Sequence, residues 1–387
     1  MSMKPLSDYC EVITKGTTPK TMGIDFVESG IPFIKIENIN EGRIVLDSGV
    51  SYIDEAADKA LSRSRIYSGD VLISIAGTIG KTVVVPLEIP RLNCNQAIAI
   101  IRPKKGLDSQ YLKHWLASPA AIEQINGAKV TATIANLSLG QIGNLNIDLP
   151  PLEEQKRIAA ILDKADSLRR KRAQAIALAD DFLRATFLDL FGDPVTNPKG
   201  WPVKPLHQLC EVGTGGTPSR EVEAYYGGDI PWVKTGEVDS DWITTSDECI
   251  TERALAETNC KLFPPKTILV AMYGQGKTRG KAGMLGLSAT TNQACAAILP
   301  SEKIQPEFLL SLLKFSYESI RAMGRGGNQE NLNLGMIKSL EIIVPDSDVI
   351  SKFMHVSEKI KALFENENAA IGELDLLNRS MQWDCLG

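Results

Sequence analysis

From Leu152 to Phe191 the chain runs without a Gly or Pro, closed by Pro150-Pro151 before it and Gly192-Asp193-Pro194 after it. Proline blocks an earlier helix start, and the Gly-Asp-Pro step ends one. Ala, Leu, Ile, Arg, Lys, Asp and Glu dominate the interval, mostly good helix formers. Ile158, Ile161, Ala165, Leu168, Ala175, Ala179 and Phe182 recur at alternating steps of three and four, with Arg172 at the one missing step. A heptad stripe of this kind needs a partner helix.

The partner lies at the other end of the chain. Val349, Phe353, Val356, Ile360, Leu363, Ala370, Leu374, Leu377 and Met381 keep the same spacing, with Glu367 at the interrupted step. An offset of 195 carries Ile158 to Phe353, Arg172 to Glu367 and Phe182 to Leu377, and also Pro150 to Pro345 and Gly192 to Gly387. Two unrelated amphipathic helices would show stripes as well, but not the shared punctuation. Opposite charges at one seam layer either pair and fix register or extend separately to solvent. The expectation here is an Arg172–Glu367 ion pair.

The rest of the chain repeats too. Pro5-Leu6 to Glu11-Val12 returns as Pro205-Leu206 to Glu211-Val212, and Gly16-Thr17-Thr18-Pro19 as Gly216-Thr217-Pro218. Ile31-Pro32-Phe33-Ile34-Lys35 returns as Ile230-Pro231-Trp232-Val233-Lys234, and Asn95-Gln96-Ala97 as Asn292-Gln293-Ala294. The order is kept, so one unit, a globular domain followed by a long helix, has been duplicated. Short β-rich runs (Val71 to Ile75, Ala97 to Ile101, Ile268 to Met272, Ile342 to Val344) and short helical ones (Gln110 to Leu116, Pro306 to Phe315) make each globular half α+β and sheet-rich. The predicted plan is 1–150, first domain; 151–192, first spacer helix; 193–345, linker and second domain; 346–387, second spacer helix. The first helix ends where the second domain begins, and the second helix starts where that domain ends. The two helices should therefore run antiparallel, as a two-helix coiled coil between pseudo-symmetric domains.

Chemistry on the chain itself finds little support. Gly80-Lys81-Thr82 and Gly276-Lys277-Thr278 resemble the end of a P-loop, but Ile75 and Ala271 stand where its first Gly is required. No H-E-x-x-H, Cys/His metal spacing or methyltransferase signature occurs. Seven Cys without a C-x-x-C, no apolar run long enough to span a bilayer and no signal-peptide core at Met1 to Pro5 point to the cytoplasm. A net charge of −5 means that any nucleic-acid binding must come from local basic patches.

Such patches exist. Gly274 to Lys281 is a Gly-rich loop carrying Lys277, Thr278, Arg279 and Lys281, suited to phosphate contact through its backbone N–H groups and cations, or else a solvated hairpin tip. Its shorter counterpart ends at Lys81. A second loop offers Arg325, Asn328 and Gln329, which can reach base edges, and its counterpart offers Lys129, Thr131 and Thr133. Asn95-Gln96 and Asn292-Gln293 suit bonding of a turn at least as well as base reading. Arg169-Arg170-Lys171-Arg172 is either a solvated helix face or a backbone contact.

The duplicated domain-plus-helix plan resembles the specificity subunit of type I restriction-modification systems. So does the wording Leu149-Pro150-Pro151-Leu152-Glu153-Glu154-Gln155-Lys156-Arg157-Ile158, with Phe187-Leu188-Asp189-Leu190-Phe191-Gly192-Asp193-Pro194 at the far end of the helix. The second helix departs from it, opening with Pro345-Asp346-Ser347-Asp348. The resemblance implies two target recognition domains, each reading one half of a bipartite double-stranded DNA sequence. It implies helices that set the spacing, where an Arg172–Glu367 register pair would bear on the gap. It further implies two modification subunits that carry S-adenosylmethionine and methylate adenine, and a restriction or translocase subunit that can join them. No cofactor is expected on this chain. The rival readings are a coiled-coil scaffold with paired protein- or glycan-binding domains, and an enzyme with an unrecognised site.

Overall fold

The computed structural model describes residues 3–46, 49–89, 91–127, 136–238, 242–274, 276–324 and 331–386. The chain divides into two compact units, residues 1–174 with 366–387 and residues 175–365. The long helices, Leu152–Phe191 and Ser347–Leu386, contribute one half each to both units.

In the first unit Val71–Ser74 is buried along its whole length, which accounts for its unbroken apolar character. It lies inside an antiparallel sheet ordered Cys10–Lys15, Ile98–Pro103, Val71–Ser74, Thr82–Val84. One sheet face packs on Tyr111, Leu112, Trp115 and Leu116 of the helix Ser109–Leu116, on Ile158, Ala159 and Leu162 of the first long helix, and on Leu386 of the second. Asp108 caps that short helix, its carboxylate accepting from the Tyr111 N–H at 2.9 Å. The other face meets a second sheet, ordered Ser51–Ile53, Ile31–Ile34, Leu92–Cys94, Arg65–Ile66, through Ile34, Ile66, Leu92 and Cys94. Lys4–Pro5 pairs with Asn146–Ile147 and ties the domain's two ends together.

The second unit repeats the plan. Its main sheet runs Val212–Thr214, Cys295–Ile298, Ile268–Ala271, Ala282–Leu285, Trp242–Ile243, and its second sheet runs Cys249–Ile250, Tyr226–Val233, Thr290–Thr291. Val203–Pro205 closes on Glu341–Ile343. Here the long helices dock through aromatic rings. Phe187 and Phe191 lie 4.9 Å apart, each within 5.5 Å of Phe353. The stretch expected as a linker, 193–202, is bonded to the helix end: Trp201 Nε1 donates to the Phe191 carbonyl at 3.0 Å.

The helices pair antiparallel in the first unit. Arg172 Nη1 donates to Glu367 Oε2 at 2.7 Å, and Asn378 Nδ2 donates to Asp166 Oδ1 at 3.5 Å. The expected ion pair is thus formed. Of the other seam residues, Ile158, Ala165, Phe353 and Ile360 are buried, and Ile161, Leu168, Val356 and Leu374 are half-buried. Phe182, Leu363 and Leu377 are more open, at 59%, 40% and 48% exposure, and Phe182 lines a groove with Lys352 and Val356 of the other helix. At about 100° per residue Phe182 lies half a turn from Phe191, and Leu377 half a turn from Leu386. Phe191 and Leu386 are the residues turned into the domain cores.

The structure also explains the Leu-Glu-Glu-Gln wording. Gln155 is 1% exposed. Its amide oxygen accepts from the Asp108 N–H at 2.8 Å, and its amide nitrogen donates to the carbonyls of Gly106 and Pro150, both at 2.9 Å. At an offset of 195 the second helix carries Ile350, buried in the apolar core of its own unit. The motif is missing there because an apolar contact replaces the polar stitch.

Candidate nucleic-acid interface

In each unit three segments meet at one end of the main sheet. Ile75 N–H donates to the Ala97 carbonyl at 2.8 Å, and its own carbonyl accepts from Leu137 N–H at 2.9 Å. Met272 does the same with Ala294 at 2.8 Å and Leu332 at 3.1 Å. The Gly-rich tip, the Asn-Gln turn and the segment after the second loop are therefore joined at one residue, although they are far apart in sequence.

The Gly-rich tip is a hairpin in both units. In the first, Gly80 N–H donates to the Ser74 carbonyl at 3.0 Å, and Ser74 N–H to the Lys81 carbonyl at 2.9 Å. In the second, Gly280 N–H donates to Ala271 at 2.8 Å, and Ala271 N–H to Lys281 at 2.9 Å. Lys81 therefore matches Lys281 rather than Lys277, and the second tip holds three extra residues, with ten steps from Ala271 to Lys281 against seven from Ser74 to Lys81. Gly276-Lys277-Thr278 sits between antiparallel strands, not between a strand and a helix as a P-loop requires. The backbone reverses through Gly276 and Gly280 at φ +61° and +87°, values that glycine adopts without a steric penalty.

Lys277 is exposed at this tip, while Thr278, Arg279 and Lys281 are half-buried. Two residues that the sequence reading missed brace the tip from below. Tyr317 Oη donates to the Lys277 carbonyl at 2.7 Å, and Arg321 donates to the Gly276 carbonyl and to Tyr317 Oη. Lys81 is half-buried, and its ammonium donates to the Ile39 carbonyl at 3.1 Å, away from the tip. It borders a cleft of about 280 Å3 with Lys113, Asp166, Arg169 and Arg170. Two basic groups read separately, Lys81 and the Arg169-Arg170 pair, thus share one cleft. Beside it, burial pushes the Asp163 carboxyl up. Hydrogen bonds from His114 at 2.8 Å and Lys113 at 2.6 Å outweigh that and hold it at about 2. Lys129, Thr131, Thr133, Arg325, Asn328 and Gln329 lie outside the described residues.

The Asn-Gln turns separate into two roles. Asn95 Oδ1 accepts from Ala97 N–H at 3.2 Å, and Asn292 Oδ1 from Ala294 N–H at 3.1 Å. These asparagines bond their own turns. The glutamines are exposed in both units and are held by threonines, Thr18 to Gln96 and Thr217 to Gln293. Among the described residues no group of three His, Cys, Asp or Glu could hold a metal ion, and no helix is long and apolar enough to cross a membrane.

The profile of the family described as "Type I restriction modification DNA specificity domain" matches residues 1–178 and 198–373. The MjaIX specificity subunit of a type I restriction enzyme from Methanocaldococcus jannaschii is 25% identical, over 94% of this chain and 86% of its own length. The HindI specificity subunit from Haemophilus influenzae is 30% identical over 46% of this chain and 40% of its own. Among solved structures, the S subunit of the type I restriction-modification system from M. genitalium superposes at a TM-score of 0.63 with 13% identity, covering 98% of this chain and 94% of that one. A chain of the type I R-M system, solved to explain complex assembly and conformational transition, gives 0.61 with 18% identity, covering 100% and 97%. At such identities the structures show a shared fold.

Proposed function

The chain belongs to the type I restriction modification DNA specificity family, and from that premise we propose that it reads a bipartite duplex-DNA target, one recognition domain for each half-site. The first domain spans residues 1–150 and the second 193–345. The observation that supports this reading is the duplicated sheet end, where a Gly-rich hairpin, a polar turn and the segment at Leu137 or Leu332 are joined in both units. Lys277, Thr278, Arg279 and Lys281 contact the backbone through charge and tip N–H groups, with Lys81 in the matching place. The loops bearing Lys129, Thr131 and Thr133 in one domain and Arg325, Asn328 and Gln329 in the other read base edges.

The chain performs no chemistry itself. Two modification subunits dock on its long helices (151–192 and 346–387), bind S-adenosylmethionine and methylate adenine, and a restriction or translocase subunit can join them in the cytoplasm. Exposed apolar side chains on the helices suit subunit docking: Leu178 and Phe182 on the first at 60% and 59%, Leu376 and Trp383 on the second at 67% and 63%. The test is methyl incorporation into duplex DNA by the purified chain, alone and with modification subunits. Methylation is expected only in the mixture, and transfer by the chain alone refutes the reading. Replacing residues 1–150 with another recognition domain should change one half of the methylated motif, and a change in both halves refutes the division of labour.

A further inference from the structure

We propose that Gln96 and Gln293 each hold a DNA backbone phosphate, with Thr18 and Thr217 as the residues that position them. This rests on the DNA-reading role argued above and names a contact within it. The two sites are built alike. Lys15 pairs with Ala99 in one main sheet and Thr214 with Ala296 in the other, which makes Gly16 equivalent to Gly215 and Thr18 to Thr217. A Cβ on Gly16 would lie 2.0 Å from the Asn95 carbonyl oxygen, and one on Gly215 would lie 1.7 Å from that of Thr291. Only glycine lets the two strands touch there. Thr17 N–H then bonds the Cys94 carbonyl at 3.1 Å, and Gly216 N–H bonds that of Thr291 at 2.9 Å. The next residue in each case is the threonine whose hydroxyl donates to the glutamine Oε1.

That bond sets what each glutamine offers. With Oε1 accepting from threonine, the amide N–H groups are left as the donors of an exposed side chain. A phosphate only accepts and so matches these donors directly, whereas bidentate adenine reading would have to use the remaining Oε1 lone pair as well. The comparison of the halves agrees. The loops Gly127 to Thr133 and Gly324 to Gln329, assigned above to base edges, differ in sequence, as elements that discriminate between two half-sites should. The Thr–Gln pair is the same in both, which suits the feature that every DNA sequence shares.

The experiment uses the full chain with its modification subunits and two duplexes, one carrying its methylated motif and one of mixed sequence. Gln96→Ala and Gln293→Ala should each weaken binding to both duplexes by about tenfold, as loss of a hydrogen bond to a charged acceptor implies. The ratio between the duplexes and the salt slope should stay unchanged, because no cation is lost. Gln96→Glu, of the same shape but negative, should bind more weakly than Gln96→Ala at low salt and approach it at high salt. Thr18→Val and Thr217→Val should reproduce part of the alanine loss without altering thermal unfolding. Unchanged binding overturns the proposal, and so does a loss confined to the motif duplex, which would mark a base contact. If the wild-type complex binds neither duplex, the DNA-reading role itself fails.

Discussion

The Arg172–Glu367 pair lends itself to a charge-swap cycle. The donor and acceptor are 2.7 Å apart, with side chains 35% and 23% exposed. At that distance the attraction is roughly 1.5 kcal/mol in a water-like medium and several times more at an effective dielectric near 20. Arg172 is exposed enough for solvent to screen it, and holding two long side chains in place has an entropic cost, which leaves about 1 kcal/mol net. Arg172→Glu turns that attraction into a repulsion of similar size, a loss of about 2 kcal/mol, and Glu367→Arg does the same. Independent effects would sum to about 4 kcal/mol, whereas a restored pair should bring the double swap to within about 1 kcal/mol of wild type. For a unit of this size each single change should lower its unfolding midpoint by about 4–8 °C. Differential scanning calorimetry of the whole chain at low and high salt reads this out, with the difference between single and double variants shrinking in high salt. A double variant no more stable than the two singles combined would refute a register pair.

Three further outcomes follow from the geometry. Changing Lys277, Arg279 and Lys281 to Ala should weaken DNA binding and reduce the slope of log affinity against log salt by about 0.9 for each phosphate no longer neutralised; an unchanged slope in a titration from low to moderate salt would show that the tip does not touch the backbone. Gln155→Ala leaves the Asp108 N–H and the Gly106 and Pro150 carbonyls without their partner in a buried place; it should cost about 2–4 kcal/mol in urea unfolding of the first unit, and a loss under about 1 kcal/mol would mean that the stitch is dispensable. Asp163 is held below the ordinary carboxylate value of 3.8, at about 2. The stability it contributes is therefore complete above that ordinary value and is lost as pH falls through about 2, so Asp163→Asn should flatten the acid limb of the midpoint-against-pH curve and leave its neutral part parallel to wild type.

The sequence discloses most where local rules act alone. The helix bounds follow from Pro151 and Gly192, and the pairing of Arg172 with Glu367 from the 195-residue offset, because punctuation and spacing survive duplication. The exposure of Phe182 and Leu377 could not be read this way. A heptad count places them with their neighbours, but at 3.6 residues per turn they face away from the domain cores. The match of Lys81 with Lys281 was hidden by the repeated Gly-Lys-Thr spelling, and only the hairpin hydrogen bonds separate the two lysines from Lys277. Thr18 and Gln96 are 78 residues apart, and Thr217 and Gln293 are 76. Each stood in a repeated motif, yet nothing in the linear order shows that the two motifs touch.

The longer hairpin in the second unit bears on how such a protein can change. Its three added residues fall between two backbone hydrogen bonds that the first unit also makes, Gly280 to Ala271 and Ala271 to Lys281. The sheet below the tip is held by main-chain groups that any sequence possesses. Enlarging the enclosed span from six residues to nine costs only about 0.4 kcal/mol in closure entropy. Insertions and charge changes at this place are therefore nearly invisible to folding while they alter what the tip can touch. A lineage could lengthen or recharge the backbone contact proposed for this tip by small edits there and keep the helices, the cores and the loops proposed to read bases as they were.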